Sequence, residues 1–508
     1  MRRKHCTISA ARRRFLTGLG GCLSAASLGS LMPQLALLPR TAMAQSASDY
    51  RALVCVYLAG ANDSFNLLVP RDSESPGSLY DSYRTARGGV FSASNPAGLA
   101  LPFSELLPVR PEGSETDYGL HPSLADFSAS NGGASQNHAG LHSLFQQQRL
   151  AFVCNMGPLL EPISKRDYEN GAPRPPQLFS HNDQERLWHI GGGTRNDPHA
   201  RFGWGGQLAK TLTGGPLANG LSPTLSVAGA AHFLIGDQLL PYQLSAEGVN
   251  LIDQYASGGA ANAEGARRAV LDELLADSHD SPFMQGYADT VRRALSVGES
   301  LAGLLDGPEG QLSTVFPSGN TLADQLAIVA RMIRISRDQL GARRQVYYVR
   351  FGSFDLHSGM FDTGGSLTES GHGALLTTVN QALGAFWSAL GEIGAQEQVT
   401  TFTMSEFART LSGNGNGSDH AWGGNQFVFG GAVRGGRLYG RYPRLQLDAD
   451  DDTAMEWSFA RGQYIPTTSV DQYGATLARW MGVTDTAALD ALFPGLARFP
   501  SRDLGFMA

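Results

Sequence analysis

The sequence has few cysteines, no acidic residue among its first 44 positions, and no long apolar segment after them. Four cysteines in 508 residues exclude a small disulfide-stapled scaffold. A membrane-spanning helix needs about 20 consecutive apolar residues, and nothing past residue 44 supplies such a run. The chain also lacks internal repeats, which excludes a solenoid or a propeller.

The first 44 residues have the features of a twin-arginine export signal. They carry seven Lys or Arg, including Arg12-Arg13-Arg14 before Phe15-Leu16, and a mildly apolar stretch follows. Ala42-Met43-Ala44 then supplies the small-x-small site that signal peptidases cut. We therefore predict a periplasmic or secreted protein that uses the twin-arginine translocase and has no stable membrane span. Lipid attachment at Cys22 is a less favoured alternative.

The charge and size of the mature chain limit its partners. Removing 44 of 508 residues leaves 464, and we predict one large domain over residues 45–508. The 39 basic and 46 acidic residues become 32 and 46, a net charge near −14. This surface disfavours nucleic acid and is compatible with bound cations. Cys55 and Cys154 remain, each in an apolar strand-like run, and we predict buried free thiols.

Four apolar runs are typical of buried parallel strands. They cover residues 52–58, 150–155, 345–351 and 399–404. Helical patterns precede the last three, from about residue 122, over 321–340 and over 373–390. This alternation predicts an α/β fold with a mostly parallel sheet and helices on both faces. Residues 205–318 break the pattern and predict an inserted cap, while the glycine-rich residues 427–442 predict a hairpin at the sheet edge.

Polar side chains follow several of these predicted strands, where ligands of open parallel sheets gather. Carboxylates and imidazoles at these positions suit Zn²⁺ or Mn²⁺, and we predict one or two divalent ions. For a single Asp, a turn or helix cap is the alternative. The predicted metal ligands are Asp63, Asp355, His357, Glu406, Asp419 and His420.

Ser180 opens a predicted helix that ends near Ile190. A serine at this position caps the helix by default, but the free N–H groups there also suit a nucleophile or an anion site. Arg186 and Arg409 are candidates to bind the oxygens of an anion. Ser64 is a rival nucleophile because it directly follows Asp63.

Several motifs resemble the bacterial family DUF1501, whose members often carry twin-arginine signals. The matching stretches are Tyr57–Asp63, His121–Leu124, Ser180-His181, Gly203-Trp204, Phe354–His357, Ser405–Thr410, Ser418–His420, Gly430–Gly436 and Pro466–Tyr473. This family looks related to the alkaline phosphatase and sulfatase superfamily. The relation implies an alkaline-phosphatase-like fold, metals at the carboxyl ends of the strands, and hydrolysis or transfer of phosphate or sulfate esters.

The same resemblance assigns roles to individual residues. Ser180 would be the nucleophile, Asp63 the ligand after strand one, and Asp355, His357 and His420 one metal site. The sequence also departs from the superfamily. One residue separates Asp355 from His357 where three are common, Phe407 stands where a His is expected, and no cysteine begins Cys-x-Pro-x-Arg. We therefore expect one metal ion, or one tightly bound and one loosely bound ion.

These observations favour an exported, metal-dependent hydrolase or transferase of phosphate or sulfate esters, acting on a small molecule or a polysaccharide. A non-catalytic periplasmic protein that binds a metal or glycan is the alternative, and fold alone does not decide between them. A structural envelope protein without metal would leave the Asp and His positions unexplained.

Overall fold

The computed structural model describes residues 49–192, 201–249, 263–276, 281–362 and 366–508. The predicted export signal lies outside these residues. The central strand β1, Arg51–Leu58, is buried over seven of its eight residues. It pairs in parallel with β5, Arg344–Phe351, on one side and β6, Val399–Met404, on the other. Three predicted strands are thus adjacent, and their carboxyl ends meet at one edge.

Among the described residues, nine strands form the central sheet. The remaining members are β2 Leu150–Gly157, β3 Thr224–Ser226, β4 Tyr242–Gln243, β7 Gly424–Gly430, β8 Leu438–Gly440 and β9 Thr468–Ser469. Their order is β8-β2-β7-β6-β1-β5-β3-β4, with β9 paired to β2. Every pairing is parallel except the two that β7 makes with β6 and β2. The predicted mostly parallel sheet is confirmed.

Helices cover both faces of this sheet, as predicted. The longer helices are α1 His181–Ile190, α2 Trp204–Thr213, α3 Ala263–Ala276, α4 Pro282–Asp306, α5 Thr321–Asp338, α6 Gly371–Glu392 and α7 Val470–Met481. Alternate residues of β1 point to opposite faces. Val54 and Val56 pack with α5 and α6, whereas Cys55 and Tyr57 pack with α2 and α7. The sheet therefore separates two large cores.

Shorter elements fill the connections between these. The helices are Ser64–Leu67, Leu79–Ala86, Leu141–Gln146, Lys165–Glu169 and Thr486–Leu492. Separate small sheets consist of Leu68–Pro70, Leu107–Val109 and Tyr118–Leu120; of Phe127–Asn131 and Ala134–His138; of Arg409–Gly413 and Ser418–His420; and of Asp450–Asp451 and Glu456–Trp457.

Two predictions of local structure were wrong. The segment after Pro122 contains a β-hairpin, Phe127–Asn131 with Ala134–His138, before a helix at Leu141–Gln146. Gly132 and Gly133, both at positive φ, form the two-residue turn that such hairpins favour. The predicted edge hairpin is instead two separate strands. β7 lies inside the sheet between β6 and β2, and β8 pairs with β2.

The segment predicted as a cap is partly built into the core. Its strands β3 and β4 extend the central sheet beyond β5, while α3 and α4 follow them. Residues Asp49–Ala508 form one compact unit.

Across the described residues, no helix combines the length and apolarity needed to cross a bilayer. Cys55 and Cys154 are free and buried, and burial raises the pKa of both thiols.

Candidate metal centre

The carboxyl ends of β1, β5 and β6 bring together side chains that are distant in sequence. Asp355 and His357 follow β5, and Glu406 follows β6. His420 ends a short strand that pairs with Arg409–Gly413, placing His420 opposite Arg409. His181 is the first residue of α1. Four chain segments thus converge on one place at the sheet edge.

Asp355 is at the middle of this cluster. Its Oδ1 lies 3.1 Å from Nε2 of His357 and 3.2 Å from Nε2 of His420. Its Oδ2 lies 3.4 Å from Nε2 of His181. The Nε2 atoms of His357 and His420 are 3.0 Å apart. The four side chains are 46% (His357), 39% (Asp355), 34% (His181) and 18% (His420) exposed, so the centre is open to solvent.

Each imidazole is held through its other nitrogen. Nδ1 of His181 lies 2.8 Å from Glu406 Oε1, and Nδ1 of His357 lies 3.0 Å from Asp419 Oδ1. Nδ1 of His420 lies 2.8 Å from the carbonyl oxygen of Phe179. Ionised carboxylates and carbonyls only accept hydrogen bonds, so every Nδ1 carries the proton. In the neutral rings, three Nε2 lone pairs therefore face a carboxylate.

This arrangement has the chemistry of a cation site. Lone pairs and carboxylate oxygens at 3.0–3.4 Å repel one another unless protons or a cation lie between them. Imidazole nitrogens with one carboxylate fit Zn²⁺ best and also suit Mn²⁺. The residues that would hold the ion are His181, Asp355 and His420, whose donor atoms lie within 4.8 Å of one another. Nε2 of His357 lies beside Asp355 and His420 but is not part of this set.

Two arginines balance part of the negative charge. Nη1 of the buried Arg409 donates to Asp355 Oδ1 at 2.5 Å, and Arg461 pairs with Asp419. Burial would raise the pKa of Asp355, but Arg409, together with the charges of His357 and His181, outweighs it and lowers that pKa. Burial opposes the shift at Asp419 too, where hydrogen bonds from Arg461, Asn414 and His357 lower the pKa to about 2. With Glu406 counted, the cluster contains three carboxylates and two guanidiniums, so one negative charge is not balanced by an arginine.

The pKa values of the imidazoles move in opposite directions. The hydrogen bond to Glu406 is the main cause that raises the pKa of His181. Burial is the main cause that lowers the pKa of His420. His420 is thus the more readily neutral of the two, as a metal ligand must be.

Three of the predicted ligands pair with protein groups in ways other than predicted. Asp63 pairs with Arg87 through a 2.5 Å contact between Oδ1 and Nη2, and both side chains are buried. Glu406 is also buried, and its oxygens accept from the Gly60 N–H at 2.7 Å and from the Tyr57 hydroxyl at 3.2 Å. Glu406 reaches the cluster through His181. Asp419 likewise supports His357.

The predicted catalytic residues have different surroundings. Ser180 is half-buried, directly precedes His181, and donates its hydroxyl to Asp183 Oδ2 at 2.7 Å. Arg409 is fully buried between Asp355 and Ser418, which keeps it from meeting an ester directly. Arg186 is half-buried on α1, and its charge acts on His189.

Ser64 has a structural role. It is buried, and its hydroxyl oxygen accepts a hydrogen bond from the Asn425 N–H at 2.8 Å. A substrate cannot reach it without displacing this contact. Ser180 is therefore the better placed of the two serines.

His181 is the main candidate ligand that the sequence alone did not indicate. The sequence draws attention to Ser180, whereas the His that follows it at the helix start is the available signal for a ligand. Phe407 has a second role that spacing could not show. Its ring centroid lies 4.9 Å from that of His181 and 4.5 Å from that of His420. It packs against both imidazoles.

Comparison with known proteins identifies a family and some distant folds. Residues 50–493 match the model described as "Protein of unknown function (DUF1501)". No curated protein matches the chain in sequence.

Three solved structures are similar in fold at low TM-scores. PsFucS1 sulfatase from Pseudoalteromonas sp. is 11% identical, with 86% of this chain and 68% of that chain covered and a TM-score of 0.31. Ps i-CgsB in complex with k-i-k-neocarrahexaose is 10% identical, with 86% and 74% covered and a TM-score of 0.33. Phosphonate monoester hydrolase of Agrobacterium radiobacter is 12% identical, with 85% and 74% covered and a TM-score of 0.29. TM-scores this low carry no argument about function, which has to rest on the chain's own residues.

Proposed function

The chain belongs to the DUF1501 family, and we propose that it is an exported, metal-dependent hydrolase or transferase of phosphate or sulfate esters. The observation that carries the proposal is the set of three imidazoles, each with Nδ1 tied to an acceptor and Nε2 turned toward Asp355. Such ligands, oriented in advance, are typical of metal centres in enzymes. A bound divalent ion would supply Lewis-acid stabilisation of a transferring anionic group.

Ser180 is the proposed nucleophile. It lies between two residues tied to the centre: Phe179 accepts a hydrogen bond from His420, and His181 faces Asp355. Its hydroxyl donates to Asp183 at 2.7 Å, so a proton acceptor is within reach. The helix start contributes free N–H groups near this position, which favour an anion.

The decisive experiment joins metal content and activity. Full-length protein, exported by its own route, is measured for zinc and manganese by mass spectrometry and then assayed on aryl phosphates, phosphodiesters and aryl sulfates. We expect stoichiometric metal in the wild type and a loss of metal in the double variant Asp355→Ala/His420→Ala. A stable wild type that binds no metal at all would refute the proposal.

Ser180→Ala separates the catalytic role of the serine from a structural one. We expect it to abolish turnover while metal content and melting temperature stay close to those of the wild type. Asp183→Asn is the matched variant, because it keeps the size of the acceptor and removes its charge. Full activity in Ser180→Ala would assign the attack to another group.

One observation favours a second candidate, a non-catalytic metal- or glycan-binding protein. Phe407 fills the space beside His181 and His420 where a further ligand would be expected. Bound metal without turnover on any of the three ester classes would support this alternative.

A further inference from the structure

We infer that Glu406 is a positioning residue that fixes the tautomer and orientation of His181 toward the metal. The inference rests on the proposed function. It gives a positioning role to a residue that does not itself bind the metal. Oε1 of Glu406 lies 2.8 Å from Nδ1 of His181, so the ring keeps its proton on Nδ1 and turns the Nε2 lone pair to Asp355.

Glu406 itself is rigidly held. The Gly60 N–H donates to the same Oε1 at 2.7 Å, and the Tyr57 hydroxyl donates to Oε2 at 3.2 Å. The indole Nε1–H of Trp188 donates to the Glu406 carbonyl oxygen at 2.9 Å. Glu406 thus contacts the first and the third turn of α1, through His181 and Trp188. The end of β6 fixes the helix as well as the ring.

Both oxygens of Glu406 are engaged by protein donors. One oxygen accepts from two donors and the other from a third, and the side chain is buried. The ring of Phe407 packs at a tilt against His181 and His420 and limits their rotation. A carboxylate behind a metal-binding imidazole also increases the basicity of the ring. Glu406 therefore acts on the metal through His181.

Two substitutions at position 406 separate acceptor geometry from charge. Glu406→Gln keeps an oxygen that can accept from His181 and removes the negative charge. Glu406→Met keeps the length and removes both oxygens. Loss of such a partner typically weakens metal binding by about 10–100-fold. We expect zinc affinity, measured by chelator competition, to fall about 10-fold for Gln and about 100-fold for Met.

A matched control lies on α1 itself. Glu185→Gln makes the same chemical change in a carboxylate that pairs with Arg350 at 2.6 Å and is not part of the cluster. We expect its zinc affinity to equal that of the wild type. Melting temperatures of the metal-free proteins show whether each variant folds, and Glu406→Gln keeps the test usable if Glu406→Met does not.

A second readout needs no metal. In metal-free protein with ¹⁵N-labelled histidine, imidazole shifts should show His181 protonated on Nδ1 in the wild type and in Glu406→Gln. The ring should populate both tautomers in Glu406→Met. His181→Ala identifies the signal. A wild type that binds no zinc overturns the proposed function, while the shifts still decide what Glu406 does to His181. Wild-type zinc affinity in both variants overturns the inference alone.

Discussion

The buried pair of Asp63 and Arg87 offers the sharpest test of how the β1 end is stabilised. Their side chains are 1% and 0% exposed, and Oδ1 lies 2.5 Å from Nη2. Removing one partner of such a pair leaves an uncompensated buried charge and costs about 3–5 kcal/mol. Replacing both with apolar residues costs far less, since no charge is left behind. We therefore expect strong coupling between the two positions.

The experiment is a double-mutant cycle with Asp63→Leu, Arg87→Met and the combination. The free energy of unfolding is obtained from urea titrations by linear extrapolation. Each single variant should lose about 3–5 kcal/mol, and the double variant should be more stable than either. Additive losses, or a single-variant loss below about 1 kcal/mol, would refute the reasoning. Metal content of the double variant adds a second outcome. If the double variant keeps its zinc, Asp63 serves only the ion pair with Arg87. If the double variant loses its zinc, Asp63 is a metal ligand.

Three further predictions concern the rest of the chain. Burial raises the pKa of Asp471 to about 6, well above the ordinary range of an aspartate, so the folded state binds its proton more tightly. The unfolding free energy should therefore fall by about 3 kcal/mol on its account as pH rises from below about 4 to above about 6, a slope that Asp471→Asn should lack. Gly60→Ala should destabilise the fold by about 1–3 kcal/mol and weaken zinc binding, because φ is +109° and a Cβ would lie 2.5 Å from the Asp355 nitrogen. Cys55 and Cys154, both fully buried, should react with thiol reagents only after denaturant is added, as followed by absorbance.

The sheet was predictable because buried parallel strands have continuous apolarity. Residues 52–58, 345–351 and 399–404 show this pattern, and all three became neighbouring strands. The position of β7 was not predictable in the same way. Its pairing with β6 and β2 depends on contacts between residues far apart in sequence, and its glycines suggested an edge. Local composition predicts whether a strand is buried better than it predicts the position of that strand in the sheet.

The same limit applies to the centre. Asp355, His357 and His420 could be proposed from strand ends and residue type, and the structure brings them together. The ion pair of Asp63 could not be foreseen, since Arg87 lies 24 residues away with no shared motif. Glu406 and His181 are 225 residues apart, so their contact is a tertiary property. The sequence alone shows which chemical groups are present. The tertiary packing determines which of them hold the candidate ligands in place.

The arrangement of the carboxylates favours one ion over two. A second ion would need Asp63 or Glu406, whose carboxylates the structure pairs with other protein groups. Arg87 neutralises Asp63 and would repel a neighbouring cation. Glu406 has its oxygens engaged by Gly60, Tyr57 and His181, and Phe407 occupies the space beside the imidazoles. Glu406 instead supports His181, so the proposed catalysis would rely on a single cation and the charge of the helix start.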